Sequence, residues 1–516
     1  MTSSFFTQIG NDINGEAAND NSGWSVSLSS DGSIVAIGAT NNNANGNNSG
    51  SLRIYKKESN TWTQVGSDID GDAAEDELGY SFSLSSDGNL VAVGAHQNLT
   101  GSGYVRIYKN VNDTWTQVGN DIDGEATGDN SGRSVSLSSD GNVVAIGSLL
   151  ASEDNSGHVR IYKNVNDNWT KVGSDIDGEE ANSFSGRSVS LSSDGSVVAV
   201  GADWNDGNGT DSGHVRIYKN VNDTWTKVGS DIDGEAAGDR SGWAVSLSSD
   251  GSVVAIGATD NDGNGIDSGH VRIYKNVNDT WTKVGSDIDG EAAGDLSGTS
   301  VSLSEDGSIV AIGAYTNDGS GSDSGHVRIY KNINNTWTNI GEDIDGEAAA
   351  DSSGISVNLS ADGSILAVGA PGNDGNGSNS GHTRVYQIDL DTTAPSAPSS
   401  LSTSSTANDN TPTITGSAEA FSTVKLYSGS TLLGSATADN NGAFSITSSI
   451  LNDGSYSLTC TATDAAGNTS ALSSALSIEV NQNLITGDFE WAKLYGSSAG
   501  EEANGGISID NEGNIF

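Results

Sequence analysis

The chain has 516 residues, with 68 acidic against 22 basic side chains, a formal net charge of −46, 68 glycines and a single cysteine; that length implies several domains rather than one core. Such a charge repels phosphate backbones and anionic lipid, which sets nucleic-acid and membrane-surface binding aside and leaves cations or neutral polymers as natural partners. Apolar runs stop at about seven residues against the roughly 20 of a spanning helix, so membrane insertion is not expected, and Cys460 has no partner for an intramolecular disulfide.

In chain order, Met1-Thr2-Ser3-Ser4 opens without a basic stretch or an apolar run, so no cleavable signal peptide is legible. The phrase Phe6-Thr7-Gln8-Ile9-Gly10 then recurs with tryptophan in the leading place, at Trp62, Trp115, Trp169, Trp225, Trp281 and Trp337. The spacings are 53, 54, 56, 56 and 56 residues. Each period contains four short apolar or alternating runs bounded by Gly, Asn, Asp and Ser, which reads as strands and not helices. In the fifth copy they fall at 244–248, 253–258, 271–275 and 280–284, with a tight turn at Asp250-Gly251 and a hairpin at 276–279.

Four antiparallel strands per period is the arithmetic of a propeller blade. The motif Ser-x-Asp-Gly marks seven copies, at Asp31, Asp87, Asp140, Asp194, Asp250, Asp306 and Asp362. The seventh copy lacks its tryptophan phrase, and the chain begins with an unattached one. The expected fold is therefore all-β: a seven-bladed propeller over 5–389 whose last blade is completed by the N-terminal strand, leaving no open edge.

Ser241-Gly242-Trp243 leading into Val254-Ala255-Ile256-Gly257-Ala258, and Leu366-Ala367-Val368-Gly369-Ala370-Pro371, resemble the FG-GAP repeats of integrin-α-type seven-bladed propellers, with Ser-Gly in place of Phe-Gly. The resemblance implies the fold and an extracellular adhesive role. It also implies calcium loops of the form DxDxDG between the first two strands, but this chain has only Ser-x-Asp-Gly there.

Residues 390–398, with two of the chain's four prolines, read as a linker. Over 399–482, strands at 413–416, 423–427, 443–447 and 455–463 indicate a β-sandwich; with Thr463-Asp464-Ala465-Ala466-Gly467-Asn468-Thr469-Ser470 it resembles bacterial Ig-like modules. From 487 to 516, Phe489-Glu490-Trp491 and Gly506-Ile507-Ser508-Ile509-Asp510 resemble the start of an SBBP-type propeller repeat. One partial repeat cannot bury its own face, so the chain is expected to be part of a longer polypeptide.

Chemistry is sought where the repetition breaks. The residue after the glycine that opens each inner strand is Trp24, Tyr80, Arg133, Arg187, Trp243, Thr299 or Ile355; nearby variable positions supply Phe184, Arg240 and Tyr315. Large aromatic and arginine side chains at one rim favour recognition hot spots. Trp24, Tyr80, Arg133, Arg187, Trp243, Phe184, Arg240 and Tyr315 are the expected ligand-binding residues, on a face that loop composition makes acidic.

Asp260, Asp262, Asn264 and Asp267 have half the spacing of an oxygen-ligand calcium loop, so Ca²⁺ is a candidate cofactor there, with turn chemistry as the alternative. His158, His214, His270, His326 and His382 stand at one repeat position on separate blades, too far apart to share one ion, and read as structural. No nucleophile, base and orienter converge, so no catalytic residues and no enzyme activity are expected. The functional expectation is an exported, non-catalytic protein of the cell surface or matrix, its propeller probing a protein or glycan ligand as a monomer. The alternatives are a polysaccharide-active enzyme or a purely structural spacer.

Overall fold

Runs such as Val253–Ala258 are apolar on both faces, as a strand sandwiched between two neighbouring sheets must be. In a computed structural model, which describes residues 5–98, 101–151, 154–391, 393–464 and 468–482, these runs become the second strands of seven antiparallel sheets. The chain separates into two compact units, Met1–Leu390 and Asp391–Phe516.

Blade five illustrates the plan. Ser241–Leu247 is the inner strand, followed outward by Val253–Ala258, His270–Val277 and Thr280–Lys283. Each sheet has a fifth strand that the sequence reading did not anticipate: Ile288–Asp289 also pairs with the third strand, at Val271 and His270. The outer lane is one strand in two pieces. Gly285, at φ +76°, lifts the chain away after Lys283, and Ile288 brings it back.

Blade seven supplies its own inner three strands, Ser356–Leu359, Ile365–Ala370 and His382–Ile388. Its outer lane comes from the start of the chain: Phe6 pairs with Ile388, Gln8 with Tyr386 and Ile13 with Thr383. Inner strands of successive blades neighbour one another all the way round, Ser22–Leu28 meeting Ser356–Leu359. The fold is a closed seven-bladed β-propeller.

Three sets of hydrogen bonds tie each blade to the next. At the foot of the central channel, backbone bonds run Ser30 to Ser86, Ser139, Ser193, Ser249, Glu305 and Ala361, whose N–H donates back to Ser30 O and closes the ring. Above it, leucine N–H groups donate to the preceding blade's serine hydroxyl, as Leu84 does to Ser27; at the closure Leu28 N–H uses Asn358 Oδ1 instead. Higher still, a serine hydroxyl in six blades donates to the following blade's glycine carbonyl, Ser188 to Gly242 and Ser300 to Gly354 among them. Blade five has Ala244 at that place.

The same approach explains the glycine that stands one residue before the end of every second strand. A Cβ on Gly313 would lie 1.9 Å from Gly354 O of the next blade, so no side chain fits. On the outside, the Trp281 indole N–H donates to Val228 O of the blade before at 2.9 Å, and five other tryptophans repeat this.

Apolar cores lie between blades. Ala255, Val271 and Ile273 of blade five pack on Leu303, Val310 and Ile312 of blade six. Each fully buried Ile or Val contributes about 1.5–3 kcal/mol, and seven such layers set the stability.

The second unit is a sandwich of a three-stranded and a four-stranded sheet. Its strands at Ser399–Thr403, Thr431–Thr437 and Leu476–Val480 were not anticipated. Their serine- and threonine-rich alternation buries few large residues, which weakens the pattern. Ile414, Val424, Leu426, Phe444, Leu458 and Cys460 form the core; the thiol is buried and free, and burial pushes it up to about 11. The SBBP-like stretch from 487 lies outside the described residues.

Candidate binding site at the channel mouth

The inner strands of blades one, three and five each begin with a bulge, the register slipping between Ser22 and Ser25, Ser131 and Ser134, and Ser241 and Ala244. A bulge re-aims the residue it contains, here Trp24, Arg133 and Trp243. With their counterparts in the other blades, all seven variable positions come to line one opening at the wide end of the channel, about 620 Å³ in volume. Tyr315 and Pro371 complete its wall.

Two arginine–aromatic stacks dominate it. The Arg133 guanidinium lies 4.0 Å from the Tyr80 ring centre, and Tyr80 packs against Trp24 at 5.5 Å and His96 at 4.3 Å. The Arg187 guanidinium lies 3.7 Å from the Trp243 ring centre, with the Asp203 carboxylate 3.8 Å away. Stacking desolvates each cation while the ring's negative face partly compensates.

The lining of the opening is distinct from the acidic loops expected on this face. Asp203 is 2% exposed at its side chain; burial raises its pKa to about 6, against the lowering effect of Arg187. Burial, then repulsion from Arg187, brings Arg133 down to about 9. Among the described residues, no carboxylate oxygen lies within 4 Å of the Arg133 guanidinium, and the residues lining the opening include two arginines and no acid. The centre of the face is cationic and aromatic.

Phe184 and Arg240 stand beside the opening, not in it. The Phe184 ring meets Trp204 edge-on at 5.4 Å, and Arg240 lies over Trp204 at 4.8 Å while pairing with Asp260 at 3.0 Å. Both sit at left-handed φ, 52° and 54°, a conformation that disfavours bulky side chains. Trp204 was not among the expected site residues. The signal was present, since it stands where blades five and six have Asp260 and Thr316.

The calcium candidates are engaged by the loop itself. Asp260 holds Arg240 and accepts from the Thr259 hydroxyl, Asp262 Oδ1 accepts the Asp267 N–H, and the Asn264 side chain donates to Gly290 O. Burial, then the charges of Asp260 and Asp262, raise the Asp267 carboxyl. In the Ser-x-Asp-Gly turns the carboxylate is likewise occupied, Asp250 Oδ1 accepting from the Ser248 hydroxyl and the Ser252 N–H.

Residues 14–55 and 288–330 match the family model of the FG-GAP repeat. The propeller carries FG-GAP repeats. Residues 384–482 match the model of a bacterial Ig-like domain. Both families are non-catalytic repeat or Ig domains. No curated protein matches the chain. Among solved structures, a Bacteroides uniformis protein provisionally named a 6-phosphogluconolactonase aligns over 63% of this chain and 85% of its own, at 13% identity and a TM-score of 0.43. That likeness informs neither ligand nor reaction for this chain. No helix of the described residues is long and apolar enough to cross a membrane.

Proposed function

We propose that this chain is a non-catalytic binding protein of the cell surface or extracellular matrix, and that the channel mouth captures a glycan or protein segment bearing carboxylate or sulfate groups. One observation carries this reading: seven positions that vary against an almost invariant repeat converge on a single opening, and there they present Arg133 and Arg187, each stacked on an aromatic ring. An anion placed between the guanidiniums would make charge-assisted hydrogen bonds and relieve the mutual repulsion of two desolvated cations. Trp24 and Trp243 add apolar ring surface of the kind sugar rings and aliphatic stems cover. Co-occurrence of FG-GAP and Ig-like domains supports the extracellular setting.

The test is a panel of neutral and uronate- or sulfate-bearing oligosaccharides and acidic peptides, read by calorimetry and by product analysis. Retention of anionic members without turnover is expected, weakening with salt and falling at least tenfold in the Arg133→Ala, Arg187→Ala double variant. Equal binding by wild type and double variant would overturn the reading, and so would conversion of any member.

A further inference from the structure

We infer that the propeller carries a set of divalent transition-metal sites at its blade junctions, each built from one buried histidine, one glutamate and one aspartate. In blade six, His326 opens the third strand with 1% of its surface exposed. Its Nδ1 has no hydrogen-bond partner. That atom faces Glu291 Oε2 at 3.9 Å and Asp343 Oδ2 at 3.8 Å. Glu291 arrives on the loop leaving blade five, and Asp343 lies between the two pieces of blade six's own outer lane. In blade seven, His382 Nδ1 faces Asp12 Oδ2 at 3.8 Å and Glu347 Oε2 at 4.0 Å. The same three positions come together around His214 and His270.

A buried nitrogen with no partner is costly, and at His326 it points at two carboxylates. In its neutral form the His326 imidazole has a lone pair to give, and the unpartnered atom is the one turned to the carboxylates. Arg328 approaches the other oxygen of Glu291, Oε1, at 3.7 Å and leaves Oε2 turned to the histidine. One nitrogen and two oxygens suit zinc-type ions with a water in the fourth place, while calcium asks for six to eight oxygens. Tetrahedral bonds of about 2.1 Å put ligand atoms about 3.4 Å apart, so the histidine-to-carboxylate distances of 3.8–4.0 Å at His326 and His382 must close by about 0.5 Å, and the groups at His214 and His270, whose atoms lie within 4.8 Å of one another, must close further.

Blade two provides an internal contrast. Tyr104 replaces the histidine, and Arg106 inserts its guanidinium between the carboxylates at the equivalent positions, 2.6 Å from Asp72 and 2.8 Å from Asp121. A cation of the protein's own fills the space. The blade-seven site joins Asp12, beside the N-terminal strand, to His382 of the last blade, so an ion there would fasten the ring's seam.

The experiment uses the untagged full chain, stripped with chelator and titrated with cobalt(II), zinc and calcium in turn. Cobalt should produce the visible absorption of tetrahedral Co(II), zinc should displace it, and metal analysis after dialysis should find about four ions per chain. His326→Gln should remove about a quarter of the absorption, and Glu291→Gln, which leaves the strand untouched, should do the same. Zinc but not equimolar calcium should raise the melting temperature. Absence of cobalt absorption, or uptake unchanged in both variants, would overturn the inference.

Discussion

His214 is 2% exposed in the third strand of blade four, and burial, followed by the charge of Arg216, lowers its pKa from 6.5 to about 4. Between those values the unfolded chain binds the proton and the folded one does not. Stability from burying the neutral ring is therefore complete above pH 6.5 and is lost as pH falls towards 4. A shift of that size corresponds to about 3 kcal/mol. Urea unfolding of His214→Gln against wild type, with chelator present, should show the variant gaining on wild type by roughly that amount between pH 7 and pH 4; parallel curves would contradict it. At this scale the sequence was informative about identity and silent about partners. Trp24 and Arg187 stood out because a repeat made them anomalies. That Arg187 lies on Trp243, and that Arg133 lacks a carboxylate, depends on side-chain directions that loop composition does not encode, so the acidic loops concealed a cationic centre.

The strands were legible because each is an apolar or alternating run between turn residues, and because seven copies repeat the message. The break in the outer lane was not, since Ile288–Asp289 is two residues long and its partner, the third strand, precedes it by about one hairpin. Nor was the indole bond of Trp281, whose acceptor Val228 O lies 53 residues upstream. The serine-to-glycine contacts between inner strands offer a direct check. Six blades have the donor, and blade five has Ala244. Ala244→Ser should regain a bond to Gly298 O and raise stability by about 0.5–1.5 kcal/mol, read as a higher urea midpoint at unchanged slope. No gain would mean that the hydroxyl cannot adopt the rotamer its six counterparts use.

For the molecule as a whole, closure was legible from an absence at one end of the repeat array and an orphan at the other. Phe6–Gln8 and Ile13–Asn14 occupy the edge that His382–Ile388 would otherwise expose. Ile9 and Ile13, 4% and 6% exposed, are buried with them, a contribution of about 1.5–3 kcal/mol each. Deleting residues 1–14 should lower the melting temperature and leave a bare strand that pairs with other chains, seen as oligomers by light scattering. A monomer melting like the full chain would show that the ring does not depend on its latch.

The two ends of the channel are unlike. At the narrow end nearly every blade contributes the same serine and leucine, Ser30 and Leu28 in blade one and Ser249 and Leu247 in blade five, so any blade could stand in for any other. At the wide end each blade speaks a different letter, and meaning resides in the order in which they are read. Shuffling blades would preserve composition, architecture and the lower ring, yet separate Arg187 from Trp243 and Arg133 from Tyr80. The circle is a combination lock whose wheels are interchangeable below and individual above.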